Sequence, residues 1–465
     1  MDNVSFNVRL WKIRQIPRCT TKPWQARWIV GDIKNPFSRT FEEFEMADAF
    51  RDELKAAMRR GEAFSTIDGL PLSMHATNEH ADTGPTWFEH AQDFVTYKWP
   101  RVSATNRATI CWTIADITTS LLPRRPGRPA DEDIRRCLRK WSLLPTTYRD
   151  NTTAPPRGID TATWIAEHSP PLKLLEDDQQ VRDILDSLSR TKTGQAASTN
   201  YFKNRRAVLY NVLKYAITNR HLEANPLDSP SLNWEKPSHL RPSDTIDPRR
   251  VGNKDHVEAV LTATTLVRGS RGKHLTAFFA SMFYAMLRPS EATELKDFQC
   301  HLPETGWGAI TPDGAAPEVE PIYTDTGQSH DKRGLKHCNP KESRTIPIPP
   351  RLVALLRAHI EFYGTTKDGR LFRTVTGNRI GGHAYKSTWN SARRIAFTET
   401  EYNSLRLKRP YDLRHSGISV RCTAGVPVKQ VAKWAGHSVE VLLRYYSKVL
   451  EGYDERWHQQ MNDFF

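Results

Sequence analysis

The chain has 465 residues, with 67 Lys+Arg against 53 Asp+Glu and a net charge of +14, a length that suits about three domains. Hydrophobic residues make up 38% and include 13 Trp, which is enough for several cores and excludes wholesale disorder. The longest mostly apolar run, Leu275–Leu287, is too short to span a bilayer and reads as a buried helix, so a membrane protein is excluded. Met1–Arg14 alternates apolar and basic residues without the apolar stretch of a secretory signal. The six cysteines, Cys19, Cys111, Cys137, Cys300, Cys338 and Cys422, lie far apart, a spacing that suits reduced thiols in the cytoplasm. The excess of positive charge points to a polyanionic partner, and nucleic acid fits best.

Period-two alternation over Phe6–Arg14 and Trp24–Val30, with a short strand at Phe37–Phe41, predicts a three-stranded sheet. An amphipathic helix follows from Met46 and ends near Gly61. Residues 1–41 hold eight Lys/Arg against Asp2 and Asp32, a net charge of +6. Arg9, Lys12, Arg14 and Arg27 are therefore candidate DNA contacts on the strands, backed by an acidic helix. An ordinary solvated sheet face is the plainer alternative.

A helical region begins at Trp87, and its strongest helix is Ser198–Leu222. Phe202, Leu209, Val212, Leu213, Ala216 and Ile217 mark one face there, while Lys203, Arg205, Arg206, Lys214 and Arg220 decorate the rest. No acid falls inside those limits, so Lys203, Arg205 and Arg206 are candidate contacts to a phosphate backbone. Ser229–Pro248, with Pro230, Pro237, Pro242 and Pro248, reads as a linker.

Five local signals follow in order. Ala285–Leu295 contains Arg288-Pro289-Ser290-Glu291, a helix junction at which a guanidinium can be held rigidly; a purely structural pairing of Arg288 with Glu291 or Glu294 is the alternative. Lys341-Glu342-Ser343-Arg344-Thr345-Ile346-Pro347 leads into a strand, with Lys341 near a hairpin tip. Tyr411-Asp412-Leu413-Arg414-His415 opens a helix behind Pro410, placing Tyr411 and Arg414 on one face. Gly436-His437 stops another helix, and Ser438 caps the segment that carries Tyr445 and Tyr446.

Together these residues resemble the tyrosine recombinase, or phage integrase, family over about 251–465. That family has Arg in an R-x-S-E stretch, a hairpin Lys, H-x-x-R, G-H, and a Tyr about nine residues beyond, where Tyr446 stands. Tyr411 occupies a position where the family more often has His or Lys. The basic N-terminal module looks like the arm-type DNA-binding domain of the larger integrases, and the helical region sits where the core-binding domain sits.

The resemblance implies a multidomain α+β chain. Residues 1–66 form an arm-type domain of three strands plus a helix, and 84–230 a helical, SAM-like core-site domain. Residues 231–250 form a linker, and 251–465 a mainly α catalytic domain with a small sheet or hairpin. The implied activity cleaves and rejoins DNA through a 3′-phosphotyrosine link, on double-stranded attachment sites, as a homo-tetramer, with host or element-encoded excision factors as further partners. Arg288, Arg414 and His437 would hold the phosphate, since guanidinium is planar, bidentate and always charged. Tyr446 would be the nucleophile, with Tyr445 as runner-up, and Lys341 the general acid, with Lys336 competing for that role. Glu291 would orient a catalytic arginine, and Tyr411 would donate one neutral hydrogen bond.

No cofactor or metal is expected. The pairs Cys300-His301 and His337-Cys338 lack the usual zinc-ligand spacing, and no phosphate-cradling Gly-x-x-x-x-Gly-Lys motif occurs. Two alternatives stay open: a catalytically inactive DNA-binding relative, and a relaxing enzyme of type IB topoisomerase chemistry.

Overall fold

The computed structural model describes residues 4–17, 21–31, 35–72, 74, 84–240, 247–267, 269–335, 344–443, 458 and 461–462. The candidate residues Lys336, Lys341, Tyr445 and Tyr446 lie outside them.

Alternation builds the N-terminal unit. β4 (Trp24–Val30) buries Ala26, Trp28 and Val30 on one face and leaves Gln25, Arg27 and Ile29 on the other. β2 (Val8–Leu10) and β3 (Arg14–Gln15) pair with opposite ends of β4, while β5 (Phe37–Phe41) pairs with it along Trp24–Trp28. The expected three-stranded sheet thus has its first strand in two pieces. A further ribbon, absent from the sequence reading, joins β1 (Val4–Ser5) to β6 (Phe64–Ser65). α1 (Phe44–Arg59) covers the buried face, with Phe50 edge-on to Trp28 at 5.4 Å.

The helical unit starts at α2 (Trp87–Lys98), whose Thr86 and Glu89 form a reciprocal capping box. It continues through α3 (Ala104–Leu121), α4 (Asp131–Cys137), α5 (Gly158–His168), α6 (Asp178–Leu188) and α7 (Thr199–Thr218), the last capped by Ser198 and ending four residues before the expected Leu222. The chain stays on this core beyond α7. Trp234 stacks on Phe202 at 5.4 Å and donates to Asp186 at 2.8 Å, and Leu240 is fully buried. Residues 231–240, expected in the linker, are therefore packed. Their apolar side chains find α6 and α7, which proline content alone does not reveal.

In the C-terminal unit, α8 (Lys254–Leu266), α9 (Ser270–Tyr284), α10 (Pro289–Ala292), α11 (Pro350–Tyr363), α12 (Gly382–Ala396), α13 (Asp412–Thr423) and α14 (Val428–Ala435) accompany a small antiparallel sheet. Its order is β7 (Cys300–His301), β8 (Gly308–Ile310), β9 (Ile346–Ile348). Gly417 lets α13 lie directly against α9, because any Cβ there would collide with the Phe283 carbonyl. α9 ends at Tyr284, so the apolar run Leu275–Leu287 is helix only in its first part.

The long connection between β8 and β9 reaches the helical unit. Tyr323 is fully buried in that unit's core, and its hydroxyl donates to the Arg139 carbonyl at 2.8 Å. Arg107 grips Asp325 through both nitrogens at 2.6 and 3.2 Å, and Tyr148 donates to the same carboxylate. A bidentate pair with its arginine buried and its carboxylate still open to solvent fixes geometry more than it adds energy. The two units are therefore latched through side chains more than 200 residues apart in the chain.

Candidate active site

Three of the family-like motifs converge where the end of α9, the start of α13 and the end of α14 meet. Arg288 is the residue before α10; its Nη1 donates to Glu291 Oε1 at 2.7 Å and its Nη2 to the Gly436 carbonyl at 2.8 Å. Glu291 is 1% exposed and also accepts from the Arg288 backbone N–H at 2.9 Å. The pairing of Arg288 with Glu291 is thus present, and the other half of the same guanidinium holds the glycine turn.

Arg414 is fully buried on α13. Its Nη1 donates to the Met286 carbonyl and its Nη2 to the Ala435 carbonyl, while Nη2 also meets His437 Nε2 at 2.8 Å. Met286 has φ 51, the left-handed region that a side chain disfavours, and this twist turns its carbonyl onto Arg414. The strain is held by surrounding packing, since Met286 is completely buried. Burial, with Arg288 beside it, lowers Arg414 to about 10, which leaves it cationic at neutral pH.

Gly436 ends α14 with φ 64, as the sequence predicts for a glycine stop, and the turn delivers His437. Because a guanidinium only donates, His437 Nε2 is the acceptor and the ring proton sits on Nδ1. Burial and then Arg414, Arg288, His415 and Arg344 drive His437 down to about 3, so it is neutral near pH 7. Tyr411 stands at the N-terminus of α13 with its ring edge-on to His415 at 5.0 Å.

Arg344, to which the sequence reading assigned no role, completes the cluster. It is 3% exposed and its Nη2 donates to Glu291 Oε2 at 2.6 Å. The signal was present in the alternation, since Arg344, Ile346 and Ile348 are buried and Thr345 is exposed. Glu291 is thereby shared by Arg288 and Arg344, with Arg414 Nη1 4.0 Å away. Burial pushes its carboxyl up, but Arg344, Arg414 and Arg288 together pull it down to about 2.

Several buried donors of this cluster have no acceptor among the described residues: Arg344 Nε and Nη1, Arg414 Nε and His437 Nδ1. Buried donors are normally paired, so among the described residues the cluster is short of acceptors. Three guanidiniums surround one carboxylate, and the site retains two net positive charges. It is built for an anion.

Outside this cluster the basic residues divide. Arg9 pairs across to Ile29, and Arg14 to Gln25 on the side of β4 opposite the core, where Arg27 also lies over the Trp11 ring at 5.5 Å. Arg9, Lys12 and Arg14 are exposed. On α7, Lys203 is exposed and Arg206 half-buried, but Arg205 points inward. Arg205 donates to Asp116 Oδ2, and Arg135 holds Asp116 Oδ1 at 2.9 Å. Its expected role as a backbone contact gives way to a structural one, because the partner that claims it lies on α3 and is invisible to local pattern. Beside this pair, Arg124, Arg128, Arg190 and Lys192 line a cavity of about 350 Å³. Sequence reasoning had not singled them out.

No group of three or more His, Cys, Asp or Glu among the described residues could hold a metal. Cys300 and His301 form β7, and His337-Cys338 lies outside the described residues. Among the described residues, no helix is long and apolar enough to cross a membrane.

No protein-family model matches the chain, and no curated protein matches it. Among solved structures, a segment of the Tn1549 transposon integrase in complex with transposon right end DNA is similar at 17% identity and a TM-score of 0.45, covering 60% of this chain and 83% of that one. The XerH site-specific recombinase bound to palindromic difH substrate is similar at 14% identity and a TM-score of 0.43, covering 76% and 96%. A lambda integrase dimer bound to a COC′ core site is similar at 12% identity and a TM-score of 0.44, covering 91% and 92%.

Proposed function

We propose that this chain is a DNA strand-transferase of the tyrosine recombinase class, and more particularly a site-specific integrase. One observation carries the reading: three guanidiniums surround a single carboxylate, a neutral histidine sits on one of them, and buried donors of Arg344, Arg414 and His437 have no acceptor among the described residues. The non-bridging oxygens of a phosphodiester supply such acceptors. They also gain charge in the transition state, so donors fixed in advance stabilise it by roughly 3 kcal/mol each.

In this reading the Tyr446 phenolic oxygen attacks phosphorus in line. A Tyr–O–P bond forms and the P–O5′ bond breaks, leaving a 3′-phosphotyrosine and a 5′ oxygen that takes a proton from Lys341. Arg288, Arg414 and the His437 Nδ1–H hold the phosphate, and Glu291 fixes Arg288. The cationic field also favours the phenolate, whose ordinary pKa is near ~10. The 5′ hydroxyl of another strand later reverses the step, so no cofactor is consumed.

The exposed face of β2, β3 and β4 serves distal arm sites, and the helical unit, with its basic cavity, serves the core duplex. Four copies would then exchange strands between two double-stranded attachment sites in the cytoplasm, with accessory excision factors setting direction for a phage or other mobile element.

The test is covalent trapping on a nicked core-site duplex. The unmodified chain forms a protein–DNA adduct and Tyr446→Phe does not. An adduct with Tyr446→Phe overturns the nucleophile, and none with the unmodified chain overturns the chemistry.

A further inference from the structure

The buried arginine at position 344 is the one cation of the cluster to which the proposed chemistry gives no task. It enters two residues ahead of β9, whereas Arg288 and His437 come from the α9–α10 junction and the end of α14. One end of its guanidinium holds Glu291 Oε2, at 2.6 Å. The other end lies against the Cα of Gly436, where any Cβ would collide with Nη1. Glu291 holds Arg288 Nη1, and Arg288 Nη2 holds the Gly436 carbonyl, so the contacts close a ring: Arg344, Glu291, Arg288, Gly436. His437 follows Gly436 directly.

We propose that Arg344 is a positioning residue for phosphate recognition, setting Arg288 through Glu291 and setting His437 through its contact with Gly436. The inference rests on the recombinase reading above. Its physical basis is shape as well as charge. Only a flat, two-ended cation reaches from the carboxylate to the glycine turn; lysine offers a point charge and can serve one end only. Only glycine at 436 leaves room for the guanidinium to seat. A long buried cation with two nitrogens unpaired among the described residues is costly to keep, and a simple packing role would be met better by an apolar side chain.

The experiment compares Arg344→Lys, Arg344→Met and Gly436→Ala in the full chain, measuring adduct rate at saturating nicked core-site DNA, DNA affinity and thermal midpoint. The unmodified chain serves as control: if it forms no adduct, the recombinase reading has failed, whereas normal adduct formation by the control makes the variants decisive. Arg344→Lys is expected to fold and to bind DNA within about twofold, but to cleave roughly 10²-fold more slowly, the scale of a displaced catalytic group. Gly436→Ala, which displaces the same guanidinium from the other side, should lose rate similarly. The double variant Glu291→Gln/Arg344→Lys should be no slower than the worse single variant, because the two act as one unit. Wild-type rate in Arg344→Lys overturns the proposal. So does a rate loss matched by equal losses in affinity and thermal midpoint, or additive losses in the double variant.

Discussion

Replacing Glu291 by Gln should destabilise the C-terminal unit by an amount that the structure sets and that pH switches off. The carboxylate is 1% exposed and accepts from Arg288 and Arg344, with Arg414 close by. Its pKa falls from 4.5 to about 2, which corresponds to about 3 kcal/mol at neutral pH, and breaking a buried pair independently suggests about 3–5 kcal/mol. The folded pKa lies below the unfolded one, so this stabilisation is fully present above about pH 4.5 and disappears as pH falls through about 2. Calorimetric scans should show the variant's transition for this unit lowered by about 6–12 °C at pH 7, from roughly 2–4 °C per kcal/mol for a domain of this size. At pH 3 the gap should shrink to less than half. A variant within about 2 °C of wild type at pH 7, or a gap of the same size at pH 3, would refute the assignment of Glu291 as the shared anion of three arginines.

Lys203→Ala should weaken core-site binding and lower the salt slope by about one without changing the melting transition, because Lys203 is exposed. Arg205→Ala should cost about 3–5 kcal/mol of stability by stripping Asp116 of a buried partner; an unchanged melt would contradict the inward placement. His437, held down to about 3, should show flat ring-proton shifts in the free chain between pH 5 and 8, and an NMR midpoint of 6–7 would contradict its neutrality. Because its folded pKa is lowered, its neutral state costs stability as pH drops below about 6.5, where the unfolded ring gains a proton.

Much of this chain was legible before folding wherever the determining forces are local. Gly436 stops α14, because a left-handed stop needs only its immediate neighbours. The alternation of β4 told which strand face is buried, since side-chain direction has period two. The order of short motifs pointed to phosphate chemistry and named Arg288, Arg414 and His437, which the fold brings into one cluster.

Tertiary structure decided the rest, because the partners are remote in sequence. Arg205 looked like a surface cation until Asp116, 89 residues away, claimed it. Arg344 gained its place only when Glu291, 53 residues earlier, and Gly436 closed around it. The left-handed Met286 is imposed by packing against its own propensity, and Tyr323 is buried by helices of another unit. Sequence by itself determined where most of the longer helices and the main strands fall and which motifs stand in order along the chain. Which cation stays exposed and which is locked inside was settled by desolvation, which favours only those charges whose counter-charge the fold delivers.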